Sequence, residues 1–202
     1  MSDKQIITIS REFGSGGRSI GRKLAERLGI DYYDRDMLGL MMDDSYSEEE
    51  EKIRLRKSRD SIVQNIYASL GFASPAEEKF FKEQAELMKQ VADEKSCVIV
   101  GRCADYVLDG RDDVIKIFFY SSIEERVRRT MEKHNISESE ARIWVATTDA
   151  TRRGFYNRQT GRLWGDAINY DLTMDTEGFS VDDVVDIVIS YIDIKNRTKN
   201  MD

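Results

Sequence analysis

The sequence predicts an α/β protein with a mainly parallel sheet. Short β-branched runs alternate with segments at helical spacing. A glycine-rich turn joins the first such run to the first helix. The 202 residues contain one proline and no Gly/Ser-rich linker, so a single domain with a full hydrophobic core is expected.

The elements follow in order. Residues 5–10 are β-branched and short, as for a buried strand. Ile20, Leu24, Ala25 and Leu28 then recur at helical spacing, and Gly29 stops that helix. Residues 31–33 predict a short strand. Residues 47–70 and 76–95 read as two helices separated by the Gly- and Pro-containing stretch 71–75. Residues 97–101 and 114–120 are further buried strands. Ser122 with Glu125, and Ser137 with Glu140, have the spacing of capping boxes, so each opens a helix. Residues 170–174 form a last short strand, and 181–194 a closing amphipathic helix.

Composition excludes several classes of function. Lys and Arg number 31 against 38 Asp and Glu, a net charge of −7 that argues against a general nucleic-acid binder. Cys97 and Cys103 are too few for a disulfide framework. The single histidine, His134, leaves structural zinc and Ser-His-Asp catalysis unsupported, and its neighbours Lys133 and Asn135 suggest a solvent-facing loop. No apolar run approaches a membrane span, and the first residues lack the apolar region of a signal peptide. A cytoplasmic location without membrane contact is the expectation; oligomeric state has no signal here.

The informative segment runs from Ile9 to Arg22. A phosphate-binding turn needs glycines, because only a backbone without Cβ can curl so that successive N–H groups point inward. The helix starting near Arg18 adds the positive end of its dipole. Gly14, Gly16 and Gly17 supply the curl together with Ser15, Arg18 supplies a cation, and Ser19 offers a hydroxyl to magnesium. Against the pattern G-x-x-x-x-G-K-[ST], Glu12 replaces the first glycine and Arg18 the lysine.

Residues 10–18 (Ser-Arg-Glu-Phe-Gly-Ser-Gly-Gly-Arg) and 28–36 (Leu-Gly-Ile-Asp-Tyr-Tyr-Asp-Arg-Asp) resemble the cytidylate kinase-like family, a branch of the P-loop nucleoside monophosphate kinases. The likeness continues through 100–108, 119–129 and 170–172. It implies five parallel strands flanked by helices, a helical acceptor-binding insertion near 36–95 and a helical, arginine-bearing lid near 133–165. It also implies ATP and Mg2+ as cofactors and a small-molecule nucleotide, CMP or dCMP, as acceptor. Arg18 and the amides of Gly14, Ser15, Gly16, Gly17 and Ser19 would hold the donor, helped by Arg126 and Arg129 where the lid begins. Asp34 would stand near the metal and the acceptor phosphate, with Ser19 as metal ligand. Arg102 of the Gly-Arg pair would grip the acceptor phosphate, and Asp149, Arg152 and Arg153 would face the acceptor. Arg18, Asp34, Arg102 and Arg152 are the catalytic candidates.

Three positions depart from cytidylate kinases: Arg18 for lysine, Cys103 where an aspartate follows the Gly-Arg pair, and Val145 where the lid carries another arginine. They leave open a kinase of another small acceptor, or a nucleotide-binding regulator with little catalysis.

Overall fold

Five strands form one sheet: β1 (Ile6–Arg11), β2 (Asp31–Tyr33), β3 (Cys97–Val100), β4 (Val114–Tyr120) and β5 (Leu172–Asp175). Their spatial order is β2-β3-β1-β4-β5, and every pairing is parallel. This is a computed structural model, and it describes residues 4–34, 36–38 and 75–199. The helix expected over 47–70, with Arg54, Arg56 and Arg59, lies outside the described residues, as does most of the expected insertion.

β1 is central, with Ile7 opposite Val98 on one side and Ile115 on the other. All of Ile6 to Ser10 is buried, because helices cover both faces of the strand. Alternation along the strands then divides the core. Ile7, Ile9, Ile117 and Phe119 pack under α1 (Gly17–Leu28) and α6 (Val181–Lys199). Ile6 and Ile99 pack on the opposite face with Met88, Val91 and Ala92 of α2 (Pro75–Glu94) and with the segment around α3 (Ala104–Val107). The last turns of α2 thus pack into the core on this face of the sheet.

α4 (Ile123–His134) and α5 (Glu138–Thr160) follow β4. Val127 meets Ala141 and Val145 there, with Phe13 packed alongside. Val145 is fully buried, which explains an apolar residue in place of a lid arginine. Ser137 and Glu140 form a complete capping box. Ser122 accepts from the Glu125 amide at 3.3 Å, but the Glu125 carboxylate turns to Arg128 and Arg129.

Three local expectations are corrected. The last strand begins at Leu172 rather than 170, because Tyr170 closes a 3-10 turn (Ala167–Asn169) and tilts its ring against Phe118, with centroids 5.0 Å apart. α6 runs on to Lys199. His134 ends α4 rather than lying in a loop, its ring 4.5 Å from Trp144. The two thiols are buried, and burial pushes the pKa of Cys97 up to about 12 and raises that of Cys103, so neither has thiolate character. Among the described residues, no helix is long and apolar enough to cross a membrane.

Candidate active site

The sheet order reverses around β1, and open α/β sheets bind ligands at the carboxyl ends of strands at that point. The glycine turn lies there. Gly14 and Gly16 adopt φ of 81° and 85°, and Gly16 caps α1 in the left-handed region. A Cβ on Gly14 would lie 2.8 Å from the Arg126 carbonyl oxygen, so this position has no room for a side chain. Ser15 is buried and donates through Oγ to the Glu12 carbonyl at 2.9 Å. No acidic residue occupies the first turn of α1, and the dipole end is open to an anion.

Three residues, Asp149, Arg126 and Glu12, brace the turn on one side. Asp149 Oδ1 accepts from the Phe13 amide at 2.7 Å, and Asp149 Oδ2 pairs with Arg126 Nη1. Arg126 donates from Nη1 to the Phe13 carbonyl at 3.2 Å and from Nε to the Ser121 carbonyl at 3.1 Å. The Glu12 carboxylate lies 3.2 Å from the same Nε. Burial raises the Glu12 pKa, against the pull of Arg126 and the Ser121 amide. On the other side, Arg129 donates to the Thr176 carbonyl at 2.9 Å, and Thr176 Oγ1 donates to the Ser15 carbonyl at 2.8 Å. The glycine that Glu12 replaces is thus exchanged for a carboxylate that joins this bracing.

Above the turn, Arg18 donates from Nε to Asp34 Oδ2 at 2.9 Å, and its Nη2 pairs with both Asp34 and Asp36. Asp34 Oδ2 also accepts from the Tyr32 hydroxyl at 3.1 Å, and Oδ1 accepts from the amides of Asp36 and Met37. Burial alone would raise the Asp34 pKa, but the Met37 amide, Arg18 and Tyr32 outweigh it and hold the carboxyl below the usual carboxylate range. The Tyr32 hydroxyl is pushed up to about 12 by burial and by Asp34.

Beyond β3, Arg102 has φ 58° and sets its guanidinium 5.9 Å from the Phe155 ring of α5. Arg152 donates to the Arg11 carbonyl at 3.1 Å and lies over the Phe13 ring, while Arg153 lies over Trp164. Glu12, Phe118, Tyr120, Arg153, Trp164 and Gly165 line a cleft of about 320 Å³ beside the turn.

The structure gathers Gly14 to Ser19, Asp34, Arg126, Arg129, Asp149 and Arg152 around one turn. Two of these have different partners from those anticipated. Asp149, expected to face the acceptor, is committed to the Phe13 amide and Arg126. Arg126, expected on the donor, is buried under the turn. Sequence reasoning passed over Asp36, and over Asp105 and Tyr156, which are joined by a 2.6 Å hydrogen bond from the Tyr156 hydroxyl to Asp105 Oδ2. The first two sit in the quoted blocks 28–36 and 100–108, which was the available signal; Tyr156 had none.

The protein matches the model of the cytidylate kinase-like family over residues 6–178. A cytidylate kinase of Pyrococcus horikoshii is 27% identical over 95% of this chain and 90% of its own length. One of Pyrococcus abyssi is 31% identical over 93% of each chain. Among solved structures, an uncharacterized protein from Eubacterium ventriosum superposes with a TM-score of 0.75 at 27% identity, covering 94% of this chain and 99% of that one. A shikimate kinase from Bacteroides thetaiotaomicron, with a TM-score of 0.52 at 13% identity over 94% of this chain and 98% of its own, shares the fold. Sequence blocks, sheet order and glycine turn agree: the chain belongs to the cytidylate kinase-like family.

Proposed function

We propose that the protein is an ATP-dependent phosphotransferase that moves the γ-phosphoryl group of ATP to a nucleoside monophosphate, CMP or dCMP. The observation that carries this reading is the braced glycine turn at the N-terminal end of α1, with Arg18 in the first turn of that helix and paired with Asp34. Phosphoryl transfer is mainly positioning plus neutralisation of charge on the moving group. In this reading the amides of Gly14 to Ser19 hold the donor phosphates and Arg18, anchored on Asp34, turns another nitrogen onto them. Arg126 and Arg129 support the donor side through the turn, Arg102 holds the acceptor phosphate, and Arg152 and Arg153 close from α5, with Asp149 fixing that helix to the turn.

The residues present partly fit magnesium. Ser19 is exposed on the first turn of α1, where a hydroxyl can bind the ion. The Asp34 oxygens already accept from Arg18, Tyr32 and two amides, which leaves Asp34 a role through the ion's water shell. Bound there, magnesium would neutralise charge on the donor phosphates.

The chain is read as one domain, with an insertion near 36–95 and a lid near 133–165, in the cytoplasm. The test is ADP release from ATP and magnesium with CMP, dCMP, UMP, AMP and GMP in turn. Release that depends on the cytidine nucleotides is expected. No release above the ATP-only background with any of the five would overturn the reading.

A further inference from the structure

Asp105 is among the most enclosed acids of the described residues, at 1% exposure, and the roles proposed so far do not use it. It is the second residue of α3, which follows Gly101, Arg102 and Cys103, whose φ values of 83°, 58° and 55° place three successive residues in the left-handed region. That backbone costs about 1–2 kcal/mol for each non-glycine residue, so surrounding contacts must hold it. Asp105 supplies two of them. Its Oδ1 accepts from Ser10 Oγ at 3.1 Å, and its Oδ2 accepts from the Tyr156 hydroxyl at 2.6 Å. Ser10 belongs to the strand that feeds the glycine turn, and Tyr156 to the helix that carries Arg152 and Arg153. Phe155, next to Tyr156, touches Arg102, and Arg152 sits one turn before Tyr156. One buried carboxyl therefore ties together strand, arginine segment and lid helix.

We propose that Asp105 and Tyr156 are positioning residues, whose buried hydrogen bond sets Arg102 and Arg152 in register on the acceptor side of the phosphate turn. Burial also raises the pKa of both groups, which fits a fixed strut rather than an acid or base in exchange with solvent. The ligand affected rests on the kinase reading; the strut itself does not.

The test compares the full-length wild type with Tyr156→Phe, which keeps the ring, and with Ser10→Ala, which removes the other donor to Asp105. Two readouts are needed: hydrogen exchange of the α5 amides, and KM for acceptor and for ATP. In Tyr156→Phe, exchange in the second half of α5 should accelerate about tenfold, as leaving a buried hydrogen-bonding group without its partner predicts, with β1 and α6 unchanged. The acceptor KM should rise about tenfold and the ATP KM stay within about twofold. Ser10→Ala should leave α5 exchange at the wild-type rate. Unchanged α5 exchange in Tyr156→Phe would overturn the strut, and so would equal losses for ATP and acceptor. If the wild type turns over no acceptor, the kinase reading fails, and the exchange measurement alone decides the strut.

Discussion

Arg18 and Asp34 face each other across the mouth of the phosphate turn, Nε 2.9 Å from Oδ2, with the Asp34 side chain 3% exposed and that of Arg18 52%. The cation that should meet phosphate is therefore held by carboxylates, and the planar guanidinium spans Asp34 and Asp36 together. This gives the Lys-to-Arg departure a physical sense, because a forked cation can stay anchored at one nitrogen while another turns to a ligand.

The pairing sets a pH dependence. The folded pKa of Asp34 lies below its unfolded value, so the ionised carboxylate stabilises the fold at neutral pH. That contribution is complete above the unfolded pKa of about 3.9 and is lost as pH falls through the lower folded value. Urea unfolding from pH 7 to pH 3 should show a smaller loss of stability for Asp34→Asn than for the wild type. Parallel curves would contradict the pairing.

Asp149 provides a second prediction. Arg126, at 7% exposure, depends on Asp149 and Glu12 for its charge partners. Asp149→Ala leaves Glu12 alone beside the guanidinium and should cost about 3 kcal/mol, at the lower end of the cost of breaking a buried pair. Glu12→Gln should cost less, because Asp149 remains. Denaturant midpoints check both; a neutral Asp149→Ala would place that carboxylate outside the bracing of the turn.

In the proposed reading Arg102, which follows β3, serves the acceptor side alone. Arg102→Ala should raise the acceptor KM by about tenfold or more, as loss of one charged contact predicts, with a much smaller effect on the ATP KM. Equal increases would remove Arg102 from the acceptor side.

The sheet was readable because its strands state their burial locally. Ile6 to Ile9 and Val114 to Tyr120 are β-branched or aromatic runs, and a central parallel strand needs little else. The glycine turn was equally plain, since Gly14 and Gly16 meet a backbone demand that other residues rarely satisfy. The helix α5 was harder. The face of α5 turned to the site carries Val145, Asp149, Arg152 and Tyr156, whose helical spacing is hidden by their mixed polarity. Asp149 could be placed on α5, but its partner, the Phe13 amide 136 residues away, is a product of tertiary packing alone. Asp105 and Tyr156 share that limit. Tyr170 misled the strand boundary because its ring packs on Phe118 in place of extending the ladder.

The most direct test of the central claim is CDP formation from CMP, ATP and magnesium by the wild type and by Arg18→Ala. The wild type should form CDP, and the variant should lose at least about a hundredfold in turnover, as removal of a preorganised charge at a phosphoryl site predicts. Undiminished CDP formation by Arg18→Ala would contradict it.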